Sequence, residues 1–518
     1  MNFFKSRSIY EVVFVILATL VFSLGIAVLG TIAPKFQIAL VIAMVGLIVF
    51  ALVPYKRTFC LVLFVMIQPL SIEKILYTGP PLWDNLRGQE IVLNMADIIL
   101  VMLALLLVFD RIKLLKPLMV WDKKAKLFFL LMVWGIFSYF IHLVYFQDSY
   151  VNLSQIGILH LFRNLFFVVV LTSSIQTKAD LIWVLIAVMF MVMLESFLVG
   201  LSFATWEVFS FLRLMGASPD VQTYSGDAGS VIRATGTLGV ANQQALFHAM
   251  FTFLLVGFFA VKNPVIKKIA LIAVLGSLGA VIFTFSRSAW LCMILSSLLI
   301  CSVFIYRREF KSSAWLIGSL ILIGFIAFLA AFAQPIIDRL TKGDNGATDS
   351  RYRMILLAKD LFLHNPIIGV GPAEYTEAGL KLYPPGYKDP EWVAFGDKPI
   401  VPPLGRVELA EGKLDPMTLI IVPLSVHNKY LLTLSELGLV GLIIWLMIFY
   451  QFYRDARVCS NSKDQFFRFL GVGGMGVVLV ACVYMQLDLF ADDKTLQVLL
   501  FPLVVIGAAA RLSKLRES

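Results

Sequence analysis

Charge is what this sequence has least of. Only 15% of its 518 residues are Asp, Glu, Lys or Arg, against 60% hydrophobic, and mean hydropathy is +0.88. A soluble protein carries about 25% charge and 45–50% apolar residues. That shortfall excludes a soluble multidomain chain, and high hydrophobicity excludes disorder. Strict apolar–polar alternation is also missing, which excludes an outer-membrane barrel. Cysteine is sparse: Cys60, Cys292, Cys301 and Cys482 lie in apolar runs and Cys459 in a basic loop, so no disulfide framework is implied. There is no phosphate-binding Walker loop, no dinucleotide fingerprint and no His-Glu-x-x-His pair. No convincing metal cluster faces outward, so any catalysis would rest on His and Arg, with no metal and no cofactor.

What the chain has is apolar runs near twenty residues long, the length that crosses a bilayer as helix. The sequence predicts an all-α, polytopic membrane protein of about fourteen spans. They begin near Tyr10, Phe36, Phe59, Ile91, Lys126, Ile156, Leu181, Gly239, Lys267, Ser288, Ala314, His427, Phe467 and Leu496. The first run, Tyr10 to Leu29, lacks a small-residue cleavage motif and reads as a retained span. Orientation follows the basic residues: 24 fall in segments assigned to the inside and 7 in short outer segments. Both termini are therefore expected in the cytoplasm, and the net charge of +10 is topological, with no nucleic-acid partner implied.

Five regions follow: N-terminal spans over 1–203, an outer loop over 204–238, central spans over 239–333, a large extracytoplasmic loop over 334–426, and C-terminal spans over 427–518. The large loop holds 11 of the 20 prolines and is too long for a plain connector. Within it, Asp349–His364 has helical spacing, with Met354, Leu357 and Leu361 on one face. Asn365-Pro366 stops that helix, and Gly369 and Gly371 make the turn. The segment reads as a cap on the outer membrane surface.

Three groups of residues could carry chemistry. His427 stands where the large loop re-enters the membrane, and an imidazole can take a proton from a hydroxyl near neutral pH. The plainer alternative is an interfacial histidine bonded to a carbonyl. Arg287 occupies a very short outer turn, Arg233 leads into a glycine-rich stretch, and Arg351 and Arg353 begin the cap helix. Guanidinium groups bind phosphate through two parallel bonds, so several on one face suggest a diphosphate site. Snorkelling to lipid phosphates is the competing reading, and it suffices for Arg213. Asp97, Arg163, Glu195 and Glu436 lie inside spans, where each charge should be paired or line a wet cavity. Arg163 and Glu195, on successive spans, are the natural pair.

The order of these pieces resembles the O-antigen ligase and polysaccharide polymerase superfamily of bacterial inner-membrane glycosyltransferases. The pieces are Arg233-Ala-Thr-Gly-Thr-Leu-Gly-Val-Ala-Asn242, then Phe285-Ser-Arg-Ser288, then Arg353 through His364-Asn-Pro-Ile-Ile-Gly-Val-Gly371. Val426-His427-Asn428 follows, then Leu434-Ser-Glu-Leu-Gly-Leu-Val-Gly441. The family often has Asn-Pro-Asn where this chain reads Val240-Ala241-Asn242, which leaves Asn242 without an assigned role.

The resemblance implies transfer of a glycan from an undecaprenyl diphosphate carrier to a sugar hydroxyl, on the periplasmic face, during O-antigen, capsule or exopolysaccharide assembly. By that pattern His427 is the candidate base, Arg287 and Arg233 the diphosphate ligands, and Arg353 a further donor or acceptor contact. The implied partners are the carrier-linked donor, a glycan or lipid A–core acceptor, membrane lipid, and a chain-length regulator or other assembly proteins. The alternative class is a flippase for lipid-linked oligosaccharides or another secondary transporter. Such a carrier should place its charges near the midplane and show two related halves.

Overall fold

A computed structural model describes residues 55–70, 73–77, 91–114, 120–146, 151–205, 222–226, 229–309, 347–382, 404–406, 421–423, 426–487 and 493–517. Among these are thirteen α-helices: α1 Lys56–Ile67, α2 Met95–Leu114, α3 Lys123–Ile141, α4 Val151–Ser174, α5 Lys178–Thr205, α6 Ala241–Leu254, α7 Pro264–Phe283, α8 Arg287–Tyr306, α9 Ala347–His364, α10 Tyr375–Leu382, α11 Lys429–Ser460, α12 Gln465–Leu487 and α13 Asp493–Glu517.

Nine candidate membrane spans, each long and apolar enough to cross a bilayer, occur among the described residues. They begin within three residues of nine of the predicted starts. The expected spans from Tyr10, Phe36 and Ala314 lie outside the described residues, as does most of the large loop. The start near Ile91 shifts: Ile91–Asn94 is a strand, paired antiparallel with Glu73–Tyr77, and the helix begins at Met95. Two further short antiparallel hairpins, Gln222–Gly226 with Gly229–Arg233 and Leu404–Arg406 with Ile421–Pro423, were not read from the sequence.

The core is a bundle with α12 and α13 at its centre: Phe467, Val480, Leu499, Phe501 and Val504 are fully buried or nearly so. Glycines on α12 let neighbours approach closely. A Cβ at Gly473 would lie 2.1 Å from the Phe253 carbonyl oxygen, so α6 and α12 meet backbone to backbone there. Lipid-facing surfaces of α3, α7 and α8 carry exposed Phe129, Leu130, Ile272, Leu291 and Leu298.

One end of the bundle is stapled by ions. Lys124 pairs with Asp455 (2.5 Å) and Asp122 (2.7 Å), Lys178 with Asp464 (2.5 Å), Arg57 with Asp180 (3.1 Å), and Arg468 with Glu309 (2.9 Å). Lysine beside Asp464 holds that carboxyl below its ordinary range, against the opposing effect of its partial burial. The basic members all come from segments that the sequence assigns to the inside. Cys459, expected in a basic loop, is instead buried near the end of α11.

The Arg163–Glu195 pair is not formed. Helices α4 and α5 run antiparallel from a turn near Gln176. At 1.5 Å per residue the two side chains differ in height by about 9 Å. Arg163 binds Asp97 instead, Nε to Oδ1 at 3.0 Å and Nη2 to Oδ2. Asp97 is held by a reciprocal cap at the start of α2: its amide donates to Asn94 Oδ1 and its Oδ2 accepts from the Asn94 amide, each at 3.0 Å.

Candidate functional site

The far end of the bundle gathers the sequence motifs. Helices α7 and α8 are joined by a turn of three residues in which Phe285, a bulky residue, takes φ 50. Left-handed backbone costs such a residue about 1–2 kcal/mol. The turn is held by packing: the Phe285 ring lies 6.4 Å from both Phe203 and Trp290, and Trp290 Nε1 donates to the Val281 carbonyl at 3.1 Å. Ser286 then caps α8 without a side-chain bond, and Arg287 is the first helical residue. A guanidinium there adds to the partial positive charge of a helix N-terminus, a combination that favours an anion.

Arg233 is clasped onto this turn. It ends the Gly229–Arg233 strand, and the next amide, Ala234, donates to the Phe283 carbonyl at 3.2 Å. Arg233 Nε donates to the Thr284 carbonyl at 3.0 Å, and Nη2 donates to Asn242 Oδ1 at 2.6 Å. Asn242, which the sequence left without a role, therefore orients the fork. Tyr484, near the end of α12, donates to the Asn242 carbonyl at 2.7 Å, and its hydroxyl lies 3.4 Å from Ser286 Oγ. Arg233, Asn242, Ser286 and Tyr484 thus form one cluster beside Arg287. Sequence reasoning missed Tyr484, because a tyrosine late in an apolar run reads as an interfacial anchor.

Below the cluster, the glycine-rich stretch dips onto α5. Thr237 donates through its amide to Glu195 Oε2 at 3.1 Å and through its hydroxyl to Oε1. Gln244 Nε2 donates to the same Oε2 at 3.1 Å and meets His248 Nε2 at 3.1 Å, and His248 Nδ1 meets Ser277 Oγ at 3.0 Å. Glu195, Gln244, His248 and Ser277 are fully buried. Gln244, His248 and Thr252 recur every fourth residue, a polar stripe on an apolar helix that could have been seen in the sequence.

His427 enters from the cap side. Val426 and Leu432 belong to a small core with Met354, Leu357, Ala358 and Leu361 of α9 and with Tyr375 and Ala378 of α10. The amphipathic helix is therefore present, and its apolar face sits on the segment that carries His427. Tyr375 donates to the Met354 carbonyl at 2.7 Å, tying the two cap helices. Burial pushes the Tyr375 hydroxyl well above its ordinary range, with the Glu436 carboxylate a lesser cause. Asn428 accepts the Leu431 amide at 3.0 Å and so starts α11 directly after the histidine. Tyr430, one turn on, donates to the Cys482 carbonyl at 3.0 Å, two residues before Tyr484. The end of α12 is thus shared by the histidine segment and the arginine cluster. Arg353 lies on α9, and its side chain falls outside the described residues.

Helix α11 is not one rod. Gly438 has φ 67 and ψ −170, and Lys429 Nζ lies 6.0 Å from the centre of the Trp445 ring. A straight helix would separate those residues by about 24 Å along its axis. The Lys429–Leu437 arm therefore folds sharply back toward the membrane-crossing part at Gly438. The backbone groups freed at the break find partners in a loop that re-enters to meet them. Val370 donates to Ser435, Gly371 to Glu436, and Leu439 to Pro366, each at 2.9 Å. Trp134 Nε1 donates to Leu437 at 2.8 Å. Irregular backbone in an apolar setting requires this kind of internal satisfaction. His142 and Ser138 of the α3 region hold the loop through the Gly369 and Ile368 carbonyls, each at 2.9 Å. Next along is Glu374, fully buried. Burial first, then the Glu377 and Glu436 carboxylates, push its carboxyl up to about 9, against hydrogen bonding from Ser154.

Residues 271–446 match the family model described as O-antigen ligase. None of the curated proteins compared matches the chain. The matched stretch holds the Phe285 turn, Arg287, the cap helices, His427 and the Gly438 break, whereas Arg233 and Tyr484 lie outside it. The match over that stretch and the multi-pass helical bundle support a likeness to O-antigen ligase and polymerase-type membrane proteins, without singling out a member.

Proposed function

We propose that this chain transfers a glycan from an undecaprenyl diphosphate carrier to a sugar hydroxyl at the outer face of a bacterial cytoplasmic membrane. One observation carries the reading. The Arg233 fork and the Arg287 turn are clasped together, and the His427 segment is tied to the same end of α12. The ion-stapled end of the bundle, rich in residues that obey the positive-inside rule, would then face the cytoplasm and the site the periplasm, with both termini inside.

The chemistry follows from the donor. The diphosphate is a good leaving group whose charge grows as the anomeric C–O bond breaks. Arg233, held by Thr284 and Asn242, and Arg287, at the start of α8, would stabilise that charge. His427 would accept the acceptor hydroxyl proton as the oxygen bonds to the anomeric carbon. Arg353, expected from the sequence as a further donor or acceptor contact, would belong to the same site. Lipid A–core sugar and a second carrier-linked glycan both fit as acceptor. The carrier alternative gains nothing from three of the four in-span charges: Arg163 and Asp97 neutralise each other, and Glu195 is engaged by Thr237 and Gln244.

The test is a reconstituted transfer assay with synthetic carrier-linked donor. His427→Ala should keep normal membrane levels and lose roughly 10²–10⁴-fold in turnover. Wild-type turnover at equal expression would remove His427 as the base.

A further inference from the structure

We infer that Glu195, buried within α5, is a positioning residue that fixes the donor-binding arginine by anchoring the loop behind it. This rests on the reading of Arg233 as a diphosphate ligand. Arg233 is joined to Asn242 by its side chain, and residues 234–241 bridge the two along the backbone. Glu195 grips the middle of that bridge. Its Oε2 accepts the Thr237 amide and the Gln244 side chain, both at 3.1 Å, and its Oε1 accepts the Thr237 hydroxyl.

Contact is close enough to fix the residue types on both sides. Gly236 has φ 56, and a Cβ there would stand 2.6 Å from Glu195 Oε2 and 2.7 Å from Gln244 Oε1. Gly236 and Thr237 are themselves buried, so neither the loop nor the carboxylate has space to give way. A buried acceptor that serves several donors is costly to remove, because each donor is then left unpaired.

The geometry separates anchoring from charge. A glutamine at 195 can place its oxygen where Oε2 stands and accept both N–H groups. Its NH2 then takes the Oε1 place and donates to the Thr237 oxygen. The Thr237 proton turns to the Pro69 carbonyl, 3.2 Å away. Glu195→Gln thus keeps the anchor and loses only the carboxylate charge. Glu195→Ala loses both. Gly236→Ala keeps the carboxylate and dislodges the loop from the opposite side.

The experiment pairs donor kinetics with hydrogen exchange across residues 234–242 in the reconstituted full-length protein. Glu195→Ala and Gly236→Ala should each raise the donor KM about tenfold or more, and should speed exchange. Glu195→Gln should stay near wild type in both. In an Arg233→Ala background, Glu195→Ala should raise the donor KM no further. Exchange and KM unchanged in Glu195→Ala would overturn the inference. So would a Glu195→Gln protein as impaired as the alanine variant, since charge would then be what matters. If Arg233→Ala leaves the donor KM unchanged, the diphosphate reading fails, and the anchor stands or falls on exchange alone.

Discussion

Replacing Gly438 by alanine should unseat the break in α11. The residue has φ 67 and ψ −170, a region essentially reserved to glycine, where another residue costs about 1–3 kcal/mol. Space is the second term. A Cβ would lie 2.1 Å from the Ile367 carbonyl oxygen and 2.7 Å from the Gly369 amide nitrogen, both backbone atoms. Moving the loop away would loosen three bonds, from Val370, Gly371 and Leu439, each worth about 0.5–1.5 kcal/mol. Together these terms reach about 3–7 kcal/mol, a large part of a stability of about 5–15 kcal/mol. Thermal unfolding of the purified protein in detergent, followed by tryptophan fluorescence, would measure the loss. Hydrogen exchange over 366–373 and 435–439 would locate it. Gly200→Ala is the matched control: no atom lies within 4 Å of its Cβ, so it should gain about 0.5–1 kcal/mol. A Gly438→Ala protein with wild-type unfolding and wild-type exchange would refute the reasoning.

Three further outcomes are expected. Arg233→Lys keeps the charge but loses the planar fork that Thr284 and Asn242 hold, so its donor kcat/KM should fall between wild type and Arg233→Ala, the latter down about 10–100-fold. Equal donor titrations for all three proteins would return Arg233 to a structural role. Glu374, with its carboxyl at about 9 in the folded state against an ordinary 4.5, keeps a proton that the unfolded chain releases. Its contribution should therefore weaken as pH rises between those values, by up to about 1.4 kcal/mol per unit, and level off above. Glu374→Gln should raise the unfolding temperature more at pH 8 than at pH 5, and an equal gain at both would refute this. Lys124→Ala should cost about 3–5 kcal/mol by leaving Asp455 unpaired, and Lys124→Met with Asp455→Leu should recover most of it in thermal unfolding.

Spans were legible because twenty apolar residues have one outcome in a bilayer. The amphipathic cap helix was legible from the same kind of pattern: Met354, Leu357 and Leu361 are spaced for one face, and all three are buried. The partner of Arg163 was not. Sequence neighbours suggested Glu195, but the turn between the two antiparallel helices sets Arg163 and Glu195 at different heights, and Arg163 instead meets Asp97 from α2. The site was half legible. Arginine and histidine announce themselves by type, whereas Asn242 and Tyr484 act through backbone carbonyls and a single amide oxygen, which no residue pattern encodes. The buried stripe of Gln244, His248 and Thr252 escaped for another reason: neutral polar residues barely lower the hydropathy of a span. The break at Gly438 escaped too, because helical periodicity continues on both sides of it.

That break also explains why two of the motifs occur together. The stretch Asn365-Pro-Ile-Ile-Gly-Val-Gly371 and the stretch Leu434-Ser-Glu-Leu-Gly-Leu-Val-Gly441 look unrelated in the sequence and are more than sixty residues apart. In space they are one object. Gly369 and Gly438 face each other without Cβ atoms, and a Cβ on either would meet the other strand's backbone within 2.3 Å. Each supplies the hydrogen bonds that the other lacks, so neither could hold its conformation alone in an apolar setting. The junction fixes two things at once: the cap rests on α11 at Ser435, whose hydroxyl lies 3.2 Å from the Ala358 carbonyl and 2.7 Å from the Leu431 carbonyl, and the short arm that begins with Lys429 is turned toward α12. His427 precedes that arm by two residues. Its position relative to the arginine cluster therefore depends on a glycine contact eleven residues away, which is why loosening Gly438 should disturb transfer as well as stability.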